Sequence, residues 1–220
     1  SIMLNVFDPI EDKINKTPFS IYNSSKENQN ELLNAGLKHY KPDEKLGFHT
    51  DGAIDGDIMS VPKYLMLYNI YLGYEKPGDL FWIPYESWGD FEYFSNKFEI
   101  GKHYDLKPTP IVYKEDSGKM VITGERTLKV PIFIKNDVGD TLMLLNGDAV
   151  SSIPLFDELN NSLLNCSDER LCIAQKTNRM VFLNNHLGCH ARDVFEDPIS
   201  SNGYTRSMLR GVSIEGHSCI

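Results

Sequence analysis

Apolar positions change their period along this chain, and the changes mark its elements. Between Lys26 and Tyr40 the residues Leu33, Leu37 and Tyr40 fall at i, i+4 and i+7, with Ser24 or Ser25 available as a cap, which predicts a helix. Leu46 to Asp51 is short, extended and bounded by Gly52. Tyr64 to Leu72 and Leu80 to Tyr85 are rich in aromatic and aliphatic β-formers and predict strands. Phe91, Phe94 and Phe98 recur at i, i+3 and i+7, the signature of a short helix with one aromatic face. From Thr109 the texture is strand and turn. Ile111 to Lys114, Lys119 to Ile122, Leu128 to Ile134 and Thr141 to Leu145 are short β-like runs, separated by Asp116-Ser117-Gly118, Gly124 and Asp137-Val138-Gly139-Asp140. Leu155, Leu159 and Leu163 mark a second helix with Pro154 in its first turn. Arg170 to Ala174, Met180 to Asn184 and Met208 to Ile214 predict three more strands. Many short strands with a few peripheral helices read as a mainly β barrel or sandwich.

Length and composition fit one domain over residues 1–220, with an N-terminal helical part to about residue 45 and a β core from about 46 to 214. At 41% hydrophobic and 24% charged residues the chain can bury one core. The formal net charge of −9 argues against nucleic acid, which needs a basic face, and against an anionic membrane surface. The longest apolar run, Val61 to Tyr74, is interrupted by Lys63 and Asn69 and is too short to span a bilayer. The first residues lack a basic segment followed by an apolar one, so no secretory signal is expected. Cys166, Cys172, Cys189 and Cys219 have no paired spacing, which makes a reducing cytoplasm the expected compartment.

Candidate chemistry lies in three separated blocks. His49-Thr50-Asp51 places an imidazole and a carboxylate two residues apart; on a strand both point to one face. With six histidines and 31 acidic residues such a tripeptide is expected about once by chance. His103-Tyr104-Asp105 is a second copy, in a stretch that reads as a loop before Leu106-Lys107-Pro108. Spacing alone does not separate the two copies. Downstream, Met180 to Asn185 reads as a strand leading into His186-Leu187-Gly188-Cys189-His190-Ala191-Arg192. His186 and His190 are four apart, but Leu187 stands where a helical zinc site needs glutamate, which disfavours zinc-protease chemistry. Arg206 and Arg210 then enter an apolar strand, 16 and 20 residues after His190. Buried arginines are costly unless each meets an anion; that anion could be a ligand carboxylate or an internal Asp or Glu. Two histidines and one carboxylate occupying one face of an octahedron form the facial triad of non-heme Fe(II) oxygenases.

Together these blocks resemble the taurine dioxygenase and clavaminate synthase branch of the Fe(II)/2-oxoglutarate-dependent oxygenases, from about Leu46 to Ile214. His49-Thr50-Asp51 resembles the family's proximal pair, and Pro77-Gly78-Asp79-Leu80-Phe81-Trp82 its Gly-Gly-Asp-Thr-Leu-Trp strand. Asn185 to Arg192 resembles Asp-Asn-Arg-Arg-X-X-His-Gly-Arg, and Arg206 to Ile214 the arginine strand that closes the barrel. The resemblance implies a double-stranded β-helix (a jelly-roll, cupin-like core) and a dioxygenase that uses Fe(II), 2-oxoglutarate and O2. It makes His49, Asp51 and His190 the metal ligands and catalytic centre. The clamp on the distal carboxylate of 2-oxoglutarate falls on Arg206 or Arg210, with the distance from His190 favouring Arg206. Arg192 takes a structural role. Leu80 occupies the cosubstrate-contacting position but replaces a threonine, Ala191 replaces a glycine, and only 48 residues precede His49.

The resemblance further implies hydroxylation of an unactivated C–H bond with release of succinate and CO2. Retention of Asp51, which related halogenases lack, favours an alcohol product. The expected substrate is a free amino acid or similar small polar metabolite. Tyr68, Asn69, Trp82 and Trp88 are either pocket residues or ordinary core. Two other readings are a non-catalytic barrel that binds a metal or small acid, and a cupin-type metalloenzyme without cosubstrate. The paired arginines argue against the second, which needs no keto-acid clamp.

Overall fold

A computed structural model describes residues 17–25, 44–55, 58–107, 111–114, 120–123, 127–145, 151–199, 203–213 and 216–219. The helix expected between Lys26 and Tyr40 lies outside the described residues. The strands in chain order are β1 (Ser20–Ser25), β2 (Leu46–His49), β3 (Ala53–Asp55), β4 (Ile58–Pro62), β5 (Tyr64–Leu72), β6 (Tyr74–Lys76) and β7 (Leu80–Pro84). Helix α1 (Phe91–Lys97) follows, then β8 (His103–Leu106), β9 (Ile111–Lys114), β10 (Met120–Thr123), β11 (Leu128–Pro131), β12 (Phe133–Lys135) and β13 (Thr141–Met143). Helix α2 (Pro154–Asn165) precedes β14 (Leu171–Ile173), β15 (Arg179–Asn184), β16 (Gly188–Arg192), β17 (Glu196–Pro198), β18 (Tyr204–Val212) and β19 (Gly216–Cys219).

Two four-stranded antiparallel sheets dominate, with orders β1-β18-β5-β15 and β14-β7-β16-β2. Their inner faces meet through Leu65 and Leu183 of the first sheet and Leu80 of the second, flanked by Leu67, Trp82, Val181 and Val212. This is a double-stranded β-helix, in agreement with the expected fold class. In the first sheet Arg206, Met208, Arg210 and Val212 alternate inward on β18, opposite Leu72, Asn69, Leu67 and Leu65 of β5. The register shifts between Ser207 and Met208, so β5 carries an extra residue at Ile70. That bulge keeps Leu72 facing inward after Asn69.

The outer face of the second sheet is sealed by the largest core cluster. Phe48 of β2, Phe81 and Ile83 of β7, and Cys189 and Ala191 of β16 pack with Trp88, Phe94 and Phe98 around α1 and with Phe156, Leu159 and Leu163 of α2. Pro154 opens α2, where its missing N–H costs nothing. Each fully buried Phe or Leu contributes on the order of 1.5–3 kcal/mol, so this layer anchors the strands that carry the site.

Several boundaries differ from the sequence reading. Leu128 to Ile134 splits into β11 and β12 at Ile132, which is fully buried in the main cluster and whose carbonyl accepts from the Leu144 N–H. The stretch His103 to Leu106, expected as a loop, is a strand paired with β11; its His103 and Asp105 are exposed. Strand β1 was not anticipated because its residues, Ser-Ile-Tyr-Asn-Ser-Ser, are mostly polar; it completes the first sheet by pairing with β18 across Arg206 and Arg210.

Candidate metal centre

Strand β2 pairs with β16 so that His49 lies directly opposite His190, and β16 pairs with β7 so that His190 also faces Trp82. Directly opposed residues share a face, which puts both imidazoles between the sheets. Their ring centroids are 4.1 Å apart. Asp51 joins them by a route other than a strand ladder. Strand β2 ends at His49, and the next two residues are held by long-range bonds. The Thr50 N–H donates to the Leu145 carbonyl at 2.7 Å, and the Leu145 N–H donates to Thr50 Oγ1 at 3.0 Å. The Asp51 N–H donates to Asn185 Oδ1 at 2.9 Å. Position i+2 therefore reaches the same face as His49 through tertiary anchors.

Asp51 Oδ1 lies 3.7 Å from His49 Nε2 and 3.8 Å from His190 Nε2, too far for hydrogen bonds. The three ligand atoms lie within 4.8 Å of one another and face a common point. His49 Nδ1 donates to the Gly47 carbonyl at 2.8 Å, which fixes the ring with Nε2 turned toward Asp51 and His190. Burial first, then the adjacent His49 and, more weakly, Arg210, push His190 down to about 3 against the opposing pull of Asp51. Its imidazole is neutral at physiological pH, the form that ligates a metal. Burial alone would raise the Asp51 carboxyl, but Arg210, then His190 and His49, hold it well below the usual carboxylate range. The donor set of two imidazoles and one ionised carboxylate fits a divalent iron ion.

The two arginines differ sharply. Arg210 places Nε 2.9 Å and Nη2 2.7 Å from Asp51 Oδ2, so it engages the carboxylate oxygen turned away from the histidines. Arg206 is 8% exposed, and among the described residues no carboxylate lies within ion-pairing distance. Its Nε has no hydrogen-bond partner, its Nη2 points at Met208 Sδ, and its guanidinium lies 5.2 Å from the centre of the Phe195 ring. Arg192 approaches the same ring at 5.2 Å and donates from Nη2 to the Glu44 carbonyl at 2.9 Å. Burial, then Arg192, depress Arg206 to about 9, against a small opposite influence of Tyr74. It remains a cation at neutral pH. A buried cation beside a second cation, without an anion, is a ready seat for a ligand carboxylate.

Leu80 is buried in the apolar cluster between the sheets and offers no polar atom. Of the aromatic and amide candidates, Asn69 and Trp82 face inward, whereas Tyr68 lies on the opposite face of β5 and bonds Asn178. Trp88 is core: it stacks on Phe94 and donates to Ser162 Oγ at 2.9 Å. Sequence reasoning assigned no role to Asn185 or Phe195. Asn185 heads the block that resembles the family's motif, but its role, like that of Phe195, lies in contacts with distant segments.

No family model matches the sequence, and no curated protein does. Solved structures match throughout. An asparagine oxygenase in complex with Fe(II), 2S,3S-3-hydroxyasparagine and succinate superposes with a TM-score of 0.59 at 12% identity, covering 90% of this chain and 57% of that one. The non-heme iron oxygenase OrfP, in complex with iron and alpha-ketoglutaric acid, gives 0.58 at 14% identity, covering 97% and 62%. A mutant of OrfP in complex with (3S)-hydroxy-L-Arg gives 0.60 at 13% identity, covering 96% and 63%. The chain thus has the fold of the non-heme iron oxygenases and spans about three fifths of the length of these structures.

Proposed function

We propose that this chain is an Fe(II)- and 2-oxoglutarate-dependent dioxygenase acting on a free amino acid or similar small polar metabolite. The observation that carries the reading is the convergence of His49 Nε2, Asp51 Oδ1 and His190 Nε2 within 4.8 Å, unbridged by any hydrogen bond. These three residues hold the metal. Iron and 2-oxoglutarate, when bound, supply O2 activation coupled to release of CO2 and succinate, and the substrate is hydroxylated.

The protein's own groups divide the remaining work. Arg206 seats the distal carboxylate of 2-oxoglutarate, its unpartnered Nε and buried charge providing the affinity. Arg210 is committed to Asp51 and turns Oδ1 toward the histidines. Leu80 contributes shape and water exclusion where a threonine would contribute a hydrogen bond. The ionised carboxylate of Asp51 fills the third protein position at the metal, which supports hydroxylation over halogenation. The substrate class rests on the neighbours, whose structures hold asparagine- and arginine-derived products. Residues 1–220 act as one oxygenase unit, and the free thiols of Cys166, Cys172 and Cys189 suit the reducing cytoplasm.

Anaerobic addition of Fe(II) and 2-oxoglutarate is expected to give a visible charge-transfer band that Asp51→Ala abolishes and Arg206→Ala weakens. Succinate release across a panel of amino acids then identifies the substrate. A wild-type protein that develops no band ends the oxygenase reading and leaves a metal-binding barrel.

A further inference from the structure

The geometry points to Asn185 as a positioning residue for the metal site, one that makes Asp51 a competent ligand by holding its main chain. The inference rests on the reading of His49, Asp51 and His190 as metal ligands. Asn185 is 1% exposed and sits in the turn between β15 and β16, five residues before His190. Its side-chain amide is almost fully used. Oδ1 accepts from the Asp51 N–H at 2.9 Å, while Nδ2 donates to the Asp51 carbonyl at 2.8 Å and to the Pro62 carbonyl at 2.9 Å. The orientation of the amide is forced, because a backbone N–H needs an acceptor and two carbonyls need donors. Asn185's own N–H donates to the Lys63 carbonyl at 2.8 Å.

One side chain thus replaces the strand partner that Asp51 lacks. Strand β2 has ended at His49, so a ladder neighbour is not there to fix the backbone of residue 51. Asn185 supplies the paired donor and acceptor a ladder would supply and ties them to the turn that leads into His190. This amide therefore ties the main chain of Asp51 to the turn that leads into the distal histidine. Arg210 holds the carboxylate independently from β18, through Oδ2 alone. Without Asn185, Asp51 keeps that ion pair and the Thr50–Leu145 anchor beside it, but loses the bonds to its own main chain that fix the aim of Oδ1 toward the two Nε2 atoms.

Truncation is expected to weaken metal binding about 10- to 100-fold, the usual consequence of losing a group that orients a ligand. The test compares wild type, Asn185→Ala and Ser162→Ala by calorimetric titration with Co(II), a stand-in for Fe(II), and by thermal unfolding with and without Co(II). Ser162→Ala strips the Trp88 indole of its acceptor in the helical layer outside the sheet, contacts none of the three ligands, and serves as the stability control. Both variants lower the metal-free melting temperature. In Asn185→Ala the increment added by Co(II) also shrinks, whereas in Ser162→Ala it matches wild type. If Asn185→Ala does not fold, Asn185→Gln carries the same measurement, since it keeps the amide but moves it by one methylene. An Asn185 variant that binds Co(II) as tightly as wild type overturns the inference and leaves the metal site standing. A wild type that binds no Co(II) removes the metal-site reading and this inference with it.

Discussion

Replacing Arg206 with methionine should make the metal-free protein more stable while stripping it of affinity for 2-oxoglutarate. The opposite signs follow from the burial of its charge. The guanidinium is 8% exposed and displaced well below its ordinary value, to about 9, first by burial and then by Arg192. At about 1.4 kcal/mol per pH unit, holding that charge costs roughly 4–5 kcal/mol. Methionine keeps the length and the apolar contact with Met208 and Phe195. It forfeits a cation–π contact of about 1–2 kcal/mol and some packing. The net gain is on the order of 1–3 kcal/mol, or about 2–10 °C in melting temperature for a chain of this size. Losing the charged donor opposite a buried carboxylate costs about 2–5 kcal/mol of ligand affinity, roughly 30- to several-thousand-fold. Thermal unfolding monitored by circular dichroism, with and without 2-oxoglutarate and Co(II), reads both quantities in one experiment. A variant that is less stable than wild type and is still protected by 2-oxoglutarate would refute the reasoning, because it would mean that a protein group already neutralises Arg206.

Two further outcomes are expected. The metal-free protein should lose stability as pH falls from about 6.5 toward 3, because unfolding lets His190 take up a proton that its buried site, with a value of about 3, refuses. The slope approaches about 1.4 kcal/mol per pH unit, and denaturant titrations at stepped pH should find it flattened in His190→Phe. Gly188→Ala should destabilise the fold by about 1–3 kcal/mol, since a Cβ there would meet the Ile83 carbonyl at 2.5 Å and the Trp82 indole nitrogen at 2.6 Å; a melting temperature equal to wild type would contradict the packing.

What could be read from the chain, and what could not, divides along the range of the forces involved. Strand β5 was legible because its run of nine residues is rich in aromatic and aliphatic β-formers. Helix α2 was legible from Leu155, Leu159 and Leu163 after a proline. Strand β16, Gly-Cys-His-Ala-Arg, was not, because it is buried on both faces and shows no alternation, even though it carries His190. The triad residues were nameable from type and order. The division of labour between Arg206 and Arg210 was not, since spacing along β18 places both on the inner face and only the opposite sheet decides which one meets Asp51. Asn185 is the extreme case: its bonds cross 134 residues of sequence and involve main-chain atoms of Asp51 that carry no sequence signal.

The direct opposition of His49 and His190 across β2 and β16 has a consequence for how the chain folds. These strands are brought together from distant parts of the sequence, so their pairing closes one of the longest loops in the protein, and such closures come late. A slip of one residue would turn His190 to the outer face and separate the imidazoles. The ability to capture a metal ion is therefore acquired only when this long-range pairing has formed in the correct register. Metal capture during refolding would act as a clock for the seating of β2 against β16, and misregistered chains would betray themselves by failing to bind.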